Sequence, residues 1–402
     1  MATFAYVGSK GTKLTIETQR NQLRPVAARN NPFGPNEPIT TADCRSNAGD
    51  IAGGDFANTP FVLRNGTQVT SSDPAYVNLR AACASPQLPD INSLGRPFPG
   101  LGRVLSLENA ANSSYHAFQA TIRRTKGPLT AGVSYSYSHS IDNASDRSDP
   151  VLPNSYDLRA NRASSNFDER HLLNVSYVYL LPRFSGRFEG WGKEKADDEY
   201  TPASSSKLLQ AVLDGWSLSG ITLFQSGTPF SVINGTGNTG ISLADNAGVS
   251  SGLGIAPSYP DVVKGALKPA SNSQSFGPLL GNPSIFVAPR GLTFGNAGRN
   301  FLNNPSRVNF DMALLRHFKI LERGDLEFRA EAFNLFNHTQ SRVYDPDNPG
   351  IAGNNLVSCY AGPLNSAGFK GSGADCVTGA SFLHPINAHR PRTLQFGLKL
   401  GF

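Results

Sequence analysis

The run RTLQFGLKLGF at Arg392–Phe402 alternates without interruption. Leu394, Phe396, Leu398, Leu400 and Phe402 share one parity, and Thr393, Gln395, Gly397, Lys399 and Gly401 share the other. Successive side chains of a strand point to opposite faces, so the run predicts a strand with one apolar face and one small or polar face. The pattern recurs upstream. Phe118, Ala120 and Ile122 oppose Gln119, Thr121 and Arg123, and after a turn at Thr125–Pro128 the residues Leu129, Ala131, Val133, Tyr135 and Tyr137 alternate with Thr130, Gly132, Ser134, Ser136 and Ser138. Leu173, Val175, Tyr177, Tyr179 and Leu181 share a parity, as do Phe310, Met312 and Leu314. Leu326, Phe328, Ala330 and Ala332 oppose Glu327, Arg329 and Glu331. In GWSLSGITLFQSGTPFSV the apolar parity switches between Leu218 and Ile221, which predicts a bulge or kink near Gly220. With the terminal run and a strand remnant at Thr3–Gly8, the total is about eight strands of about 9–11 residues, long enough to cross a bilayer when tilted.

The connections sharpen this picture. Two are short, at 125–128 and 321–325, and four are long, at about 24–112, 141–168, 234–305 and 338–390. Short turns at one end and long loops at the other are the pattern of a transmembrane β-barrel. The segment 183–214 then falls on the short-turn side, and Leu208, Leu209, Val212 and Leu213 within it have helical spacing. Tyr135, Tyr137, Tyr177, Tyr179, Phe396 and Phe402 sit toward strand ends, where the aromatic girdles of such barrels lie. A soluble sandwich, with the apolar faces covered by a second sheet, has the same periodicity and stays open as the alternative.

Composition agrees with a membrane barrel. Charged residues are 16% of the chain, against about 25% in soluble domains. Gly is 40 and Pro 28, in keeping with much turn and loop, and the net charge is only +6. No basic cluster is interleaved with aromatics, so no nucleic-acid partner is expected. No run of about 18 apolar residues predicts a membrane helix, and MATFAYVGSKG does not read as a signal peptide. Cys44, Cys83, Cys359 and Cys376 form no CxxC and have no histidine at zinc spacing. They fall into two locally close pairs, and in an oxidising compartment 44–83 and 359–376 are expected disulfides, with four free thiols as the reading for a reducing one.

Catalytic and cofactor motifs are weak. GTGNTG at Gly235–Gly240 matches GxGxxG but no helix pattern follows it, so it reads as a loop tip. Asp345–Asn348 in YDPDNPG lacks the distal glutamate of a calcium loop and reads as a turn. No GxSxG, HExxH or phosphate-loop motif occurs, and the expectation is a protein that is not an enzyme and uses no cofactor or metal. Arg123, Glu327, Arg329, Glu331 and Lys399 lie on polar strand faces, so a barrel would turn them into its lumen, where they are expected to pair across neighbouring strands or to line a substrate path.

Several of these segments together resemble the C-terminal part of a TonB-dependent receptor of the bacterial outer membrane, of the Oar-like type that also carries a carboxypeptidase-regulatory-like domain. They are Ala5–Leu14, Ser114–Arg124, Tyr135–Asp142, Asp168–Pro182, Gly215–Val232, Phe328–Gln340 and the closing strand, in the family's order. The resemblance implies a barrel of about 22 strands around an N-terminal plug, driven through TonB to import a scarce, bulky ligand. It implies outer-membrane lipid and the barrel assembly machinery as partners, with Leu394, Phe396, Leu398, Leu400 and Phe402 as the strand that machinery reads. Residues 1–402 then form the C-terminal part of an outer-membrane barrel, all-β and antiparallel, with about eight strands, long extracellular loops, and neither plug nor signal peptide. It would be a fragment of a Gram-negative outer-membrane protein, reaching TonB only through the plug it lacks. A structural or adhesive surface barrel, or a secreted sandwich of the kind carbohydrate-active enzymes use, are the other two functions kept in view.

Overall fold

The computed structural model describes residues 1–22, 24–35, 37, 39, 43, 45–46, 49–50, 60–83, 97–98, 101, 104–147, 154–182, 214–233, 258–267, 278–287, 289–320, 324–343, 356–358, 382–385 and 387–401. Eight long strands build one antiparallel sheet in chain order: β1 (Ala2–Gln19), β2 (Leu105–Arg124), β3 (Leu129–Asp142), β4 (His171–Leu180), β5 (Trp216–Gln225), β6 (Arg307–Ile320), β7 (Gly324–Phe333) and β8 (Thr393–Gly401). A short ninth strand, Ala163–Ser164, adds to the end of β3. The all-β antiparallel fold expected from the alternation is the fold observed, and no helix among the described residues is long and apolar enough to cross a membrane.

The pairing fixes which side chains share a face. Leu398 lies opposite Phe328, Phe328 opposite Arg316, and Arg316 opposite Trp216. Followed strand by strand, the same face carries Leu218, Tyr179, Leu129, Ile122 and finally Ala2 on β1. Nothing in the described chain covers it. Leu394, Phe396, Leu398 and Leu400 are 57%, 72%, 72% and 50% exposed, and Phe4, Tyr6 and Ile122 at the other edge are open as well. A sandwich would bury these residues under a second sheet at about 10 Å. That alternative is therefore set aside, and the apolar face is the one hydrocarbon covers.

Aromatic residues mark the limits of this band. Trp216 and Phe224 on β5, and Phe310 and Phe318 on β6, are outward-facing pairs eight positions apart. That is about 27 Å along a strand, or about 20 Å across the membrane at the usual tilt. At the short-turn end Trp216 meets Phe328 edge-on at 6.0 Å, and the Arg316 guanidinium lies over the Trp216 and Phe318 rings. At the outer end Phe224 meets Phe310 at 5.8 Å, and the Tyr6 and Tyr135 hydroxyls share hydrogen bonds with His116 and His171 at 2.6 and 2.8 Å. Amphipathic rings with one polar atom suit the membrane–water boundary.

Two local expectations are corrected. Gly220 is not at a bulge, since β5 runs in unbroken register with both β4 and β6 through it. Its missing side chain serves Tyr177 instead: a Cβ there would stand 2.7 Å from the Tyr177 hydroxyl and 3.1 Å from the Asp311 carbonyl. The irregularity lies in β1, where the register slips between Gly11 and Thr15 and Lys13 takes a φ of 55°. Nor is β1 a remnant. It is 18 residues long and pairs with the 20-residue β2 well past the membrane band, a stretch where polar residues on both faces erase the alternation.

The expected loop positions hold, but the described parts of those loops are folded. One hydrophobic cluster joins Val26, Phe33, Ile39, Phe61, Leu79 and Leu292; another joins Phe230, Val232, Ile285, Phe286, Leu302 and Leu383. Short strands tie them. Pro229–Ile233, wholly buried, pairs antiparallel with Leu302–Asn303 and parallel with Leu356–Ser358. A helix, Tyr76–Cys83, packs Tyr76 edge-on to Phe61. The core of this protein thus lies above the membrane, while the membrane wall itself is one layer thick. The cysteine pairs, GTGNTG, Asp345–Asn348, the 205–213 helical spacing and Phe402 fall outside the residues whose side chains are described.

Candidate functional site

The second face of the wall carries the polar parity. On it lies a groove of about 450 Å³ lined from Arg123 on β2, through Ser176, Val178, Ser219 and Ile221, to Glu331 and Phe333 on β7. Six adjacent strands can line one hollow only if the sheet is concave on that side, and five interstrand gaps span about 24 Å. This is the lumenal face. Register puts the five charged residues of the sequence reading on this one face: Arg123 opposite Gly132, Glu327 between His317 and Lys399, Arg329 between Leu315 and Gly397, and Glu331 between Ala313 and Gln395.

Their pairing differs from the expectation of cross-strand partners. Arg329 donates along its own strand, Nη2 to Glu327 Oε1 at 2.9 Å and Nη1 to Glu331 Oε1 at 3.5 Å. The cause is local, because Arg329's lateral neighbours Leu315 and Gly397 offer no charge, and same-face residues two apart on a strand stand about 7 Å apart. Among the described residues His317 reaches across, with Nε2 3.8 Å from Glu327 Oε2. The result is a charge ladder on β7 facing the lumen, with Arg329 still 46% exposed.

Where the wall meets the loops, buried polar groups lock the two together. Arg299, fully buried, donates Nη2 to the Asp142 carboxylate and to its carbonyl at 2.9 Å, Nε to the Asn161 carbonyl at 3.1 Å, and Nη1 to Ser145 Oγ at 3.1 Å. Next to it Asn300, at φ 54°, donates Nδ2 to the Ser164 carbonyl at 2.6 Å and to Asn166 Oδ1 at 2.8 Å, and its amide donates to Ser231 Oγ at 2.9 Å. One dipeptide, Arg299–Asn300, therefore pins the end of β3 to described parts of the 143–170 loop. Asp168 is a second pin, accepting from Ser140 N at 2.7 Å and Arg170 Nε at 3.0 Å and sharing a proton position with His139 Nδ1 at 2.9 Å. Its neighbour Glu169 takes Gln225 Nε2, and burial pushes the Glu169 carboxyl above its ordinary value.

A third polar group sits at the outer end of the lumenal face. Arg307 and Arg342 line a pocket of about 160 Å³ with Gln225, Thr228, Ser306, Ser341 and His389. Sequence reasoning did not single out Arg299, Arg307, Arg342 or His389, because each is an isolated polar residue inside a long loop or at a strand boundary. Asp142 and Asp168 lie within the quoted YSYSHSID and DERHLL segments, where the interruption of the alternation by a lone acid was the available signal.

With this geometry in place the comparisons with known proteins can be read. The chain matches the outer membrane beta barrel domain family over residues 1–355, and it belongs to that family. It is accordingly an outer-membrane protein, and seven of the eight wall strands fall inside the matched range. No curated protein matches it. No solved structure does either.

Proposed function

We propose that this chain is the C-terminal barrel wall of a TonB-dependent receptor that takes up a ligand across the outer membrane. The observation that carries the reading is the open wall. β1 pairs only with β2 and β8 only with β7, so among the described residues each leaves a free edge. Unpaired backbone edges are untenable in hydrocarbon, so these edges must be paired in the membrane, and on the receptor reading further strands of the complete protein pair them. A closed barrel of eight strands fills its interior with side chains. Here the lumenal face instead keeps a broad groove and an exposed charge ladder, which suits a wide lumen with a plug seated against it. The apolar, exposed β8 suits recognition by the barrel assembly machinery.

The test is cross-linking in cells that make the complete protein. A cysteine at Gln395 on the lumenal face should form a disulfide-trappable contact with a plug segment of the same polypeptide, and uptake by that polypeptide should stop when TonB is deleted. If the lumen of the complete protein holds no plug and deletion of TonB has no effect, the receptor reading fails and a structural or adhesive surface barrel takes its place.

A further inference from the structure

The pocket between Arg307 and Arg342 is a built site with no assigned role. Its floor is fixed by backbone: Asn304 N donates to the Thr228 carbonyl at 2.9 Å, Val308 N to Gln340 Oε1 at 2.9 Å, Val343 N to Asn304 Oδ1 at 2.9 Å, and His389 N to the Gln340 carbonyl at 3.0 Å. Gly227 lets the chain cross there, since a Cβ on it would stand 1.8 Å from the Asn304 carbonyl oxygen. Into this frame project two guanidinium groups. The Nε atoms of Arg307 and Arg342 are both buried and have no hydrogen-bond partner among the described residues. A buried donor left without an acceptor carries an uncompensated desolvation cost, larger when charged, and both of these arginines line the same pocket.

We propose that this pocket is an oxyanion-binding subsite, in which Arg307 and Arg342 clasp the phosphate or carboxylate group of a soluble ligand and the hydroxyls of Thr228, Ser306 and Ser341 supply further donors. The chemistry fits. Arginine presents a planar fork that matches both oxyanions, and two forks converging on one group make its strongest form of recognition. Glu169, which feels the Arg307 charge, is already engaged with Gln225 Nε2. His389 is held near 4 by burial and by the two arginines, so at neutral pH it adds a hydrogen bond without competing charge. The volume of about 160 Å³ equals about five waters, enough for one oxyanion and an atom or two beyond it. A bulky ligand would thus enter by one headgroup. Register places Arg307 opposite Gln225 on the lumenal parity, which argues for a solute rather than the headgroup of an outer-leaflet lipid.

The subsite rests on the receptor reading only in assigning the bound group to an imported ligand; binding itself does not depend on TonB. The complete protein, purified in detergent, would be titrated calorimetrically with inorganic phosphate and separately with citrate. Saturable one-to-one binding of at least one probe is expected, and its identity separates phosphate from carboxylate. Arg307→Gln and Arg342→Gln should each weaken it about ten- to hundredfold, the range for charge-assisted hydrogen bonds. Arg342→Lys should recover part of the loss, and Arg124→Gln at the far end of the wall should change nothing. Heat-modifiable migration on a gel would show that each variant is folded. Absence of binding by both probes, or equal binding by folded Arg307→Gln and Arg342→Gln variants, overturns the proposal. Lipopolysaccharide phosphorus that co-purifies with the wild type and is lost in both variants overturns it too, by assigning the site to lipid. Intact phosphate or citrate binding with no TonB-dependent uptake would leave the subsite standing and sink the receptor reading alone.

Discussion

A charge placed on the last strand distinguishes the two faces of the wall. Phe396 is 72% exposed on the apolar face, opposite Ala330, and sits near the centre of the nine-residue β8 rather than at the strand end where the aromatic pattern places it. Gln395, one residue away, points into the lumen opposite Glu331. Lysine on the lipid face near the bilayer midplane costs about 2–4 kcal/mol, whereas at a lumenal position water and Glu331 receive it. Since about 1.4 kcal/mol is a factor of ten, Phe396→Lys should reduce the folded-to-unfolded ratio by about 30- to 900-fold. Gln395→Lys should change it by about fivefold at most in either direction, the range of an exposed ion pair. The measurement is urea unfolding of the complete protein in lipid vesicles, followed by tryptophan fluorescence, with outer-membrane yield as a second readout. Equal losses in the two variants would refute the facing assignment and with it the single-layer wall. A larger loss for Gln395→Lys would invert it.

Other perturbations probe the loop layer and the crossings. Gly227→Ala should destabilise by about 1–3 kcal/mol, because the new methyl meets fixed backbone, and Gly220→Ala should cost less, because the Tyr177 ring can swing away; thermal melts of both variants check the order. Arg299→Ala should strand the buried Asp142 carboxylate at a cost of about 3–5 kcal/mol, read as faster proteolysis of the 143–170 loop, while Arg299→Met with Asp142→Leu should restore much of the resistance. His389, depressed from 6.5 to about 4, favours its neutral form in the fold. Its contribution to loop stability is therefore present above pH 6.5 and is lost as the pH falls through that window to about 4. Glu169 and Asp261, whose carboxyls burial raises, act with the opposite sign and gain relative stability on acidification. A pH series of proteolysis rates should hence flatten in the 6.5-to-4 window for His389→Asn, and an unchanged profile would count against it.

The wall was legible in the sequence and the loop layer was not, for one physical reason. A membrane strand is sorted residue by residue between hydrocarbon and water, so Leu394 to Leu400 announce their face by strict period two. The lumenal side tolerates apolar residues, and Ile221 stands on it 52% exposed, which made the parity near Gly220 look broken when the strand is regular. Past the outer aromatic belt both faces of β1 and β2 meet water, and the alternation that marks Phe4 and Phe118 disappears before Ile16 and Ala111 are buried again under the loops. In the loops, Phe33, Phe61, Phe230 and Phe286 are almost wholly buried, yet their partners lie far off in sequence and in strands of only two to five residues, too short to show a period. The alternation put Glu327, Arg329 and Glu331 on one face of β7, but their bonding depended on Leu315 and Gly397 being lateral neighbours, which only the register supplies.

The placement of the buried polar groups bears on how such a surface could hold a ligand. A loop that must order itself on binding gives up about 1–2 kcal/mol of backbone entropy per residue, which would consume the affinity of one or two arginine contacts. Here Arg299, Asn300 and Asp168 fix the described parts of the 143–170 and 226–306 segments to the wall before any ligand arrives. The two hydrophobic clusters brace the 226–306 part, while Ala144 and Leu158 of the other pack on Ile16 and Ala111. Arg307 emerges from β6 directly beneath that braced layer, and Arg342 from the short strand Ser341–Arg342 paired to Asn387–Ala388. Both guanidinium groups therefore start from rigid supports, so their contacts with an oxyanion would appear largely as net affinity rather than being spent on ordering the loops. Loosening the support should then weaken binding without touching the pocket: Arg299→Ala is expected to lower phosphate or citrate affinity about tenfold through loss of order alone, and the loss should shrink as temperature falls and the loops settle. Undiminished affinity in a folded Arg299→Ala protein would mean that the pocket is held by the wall by itself, and that the loop layer is there for something else.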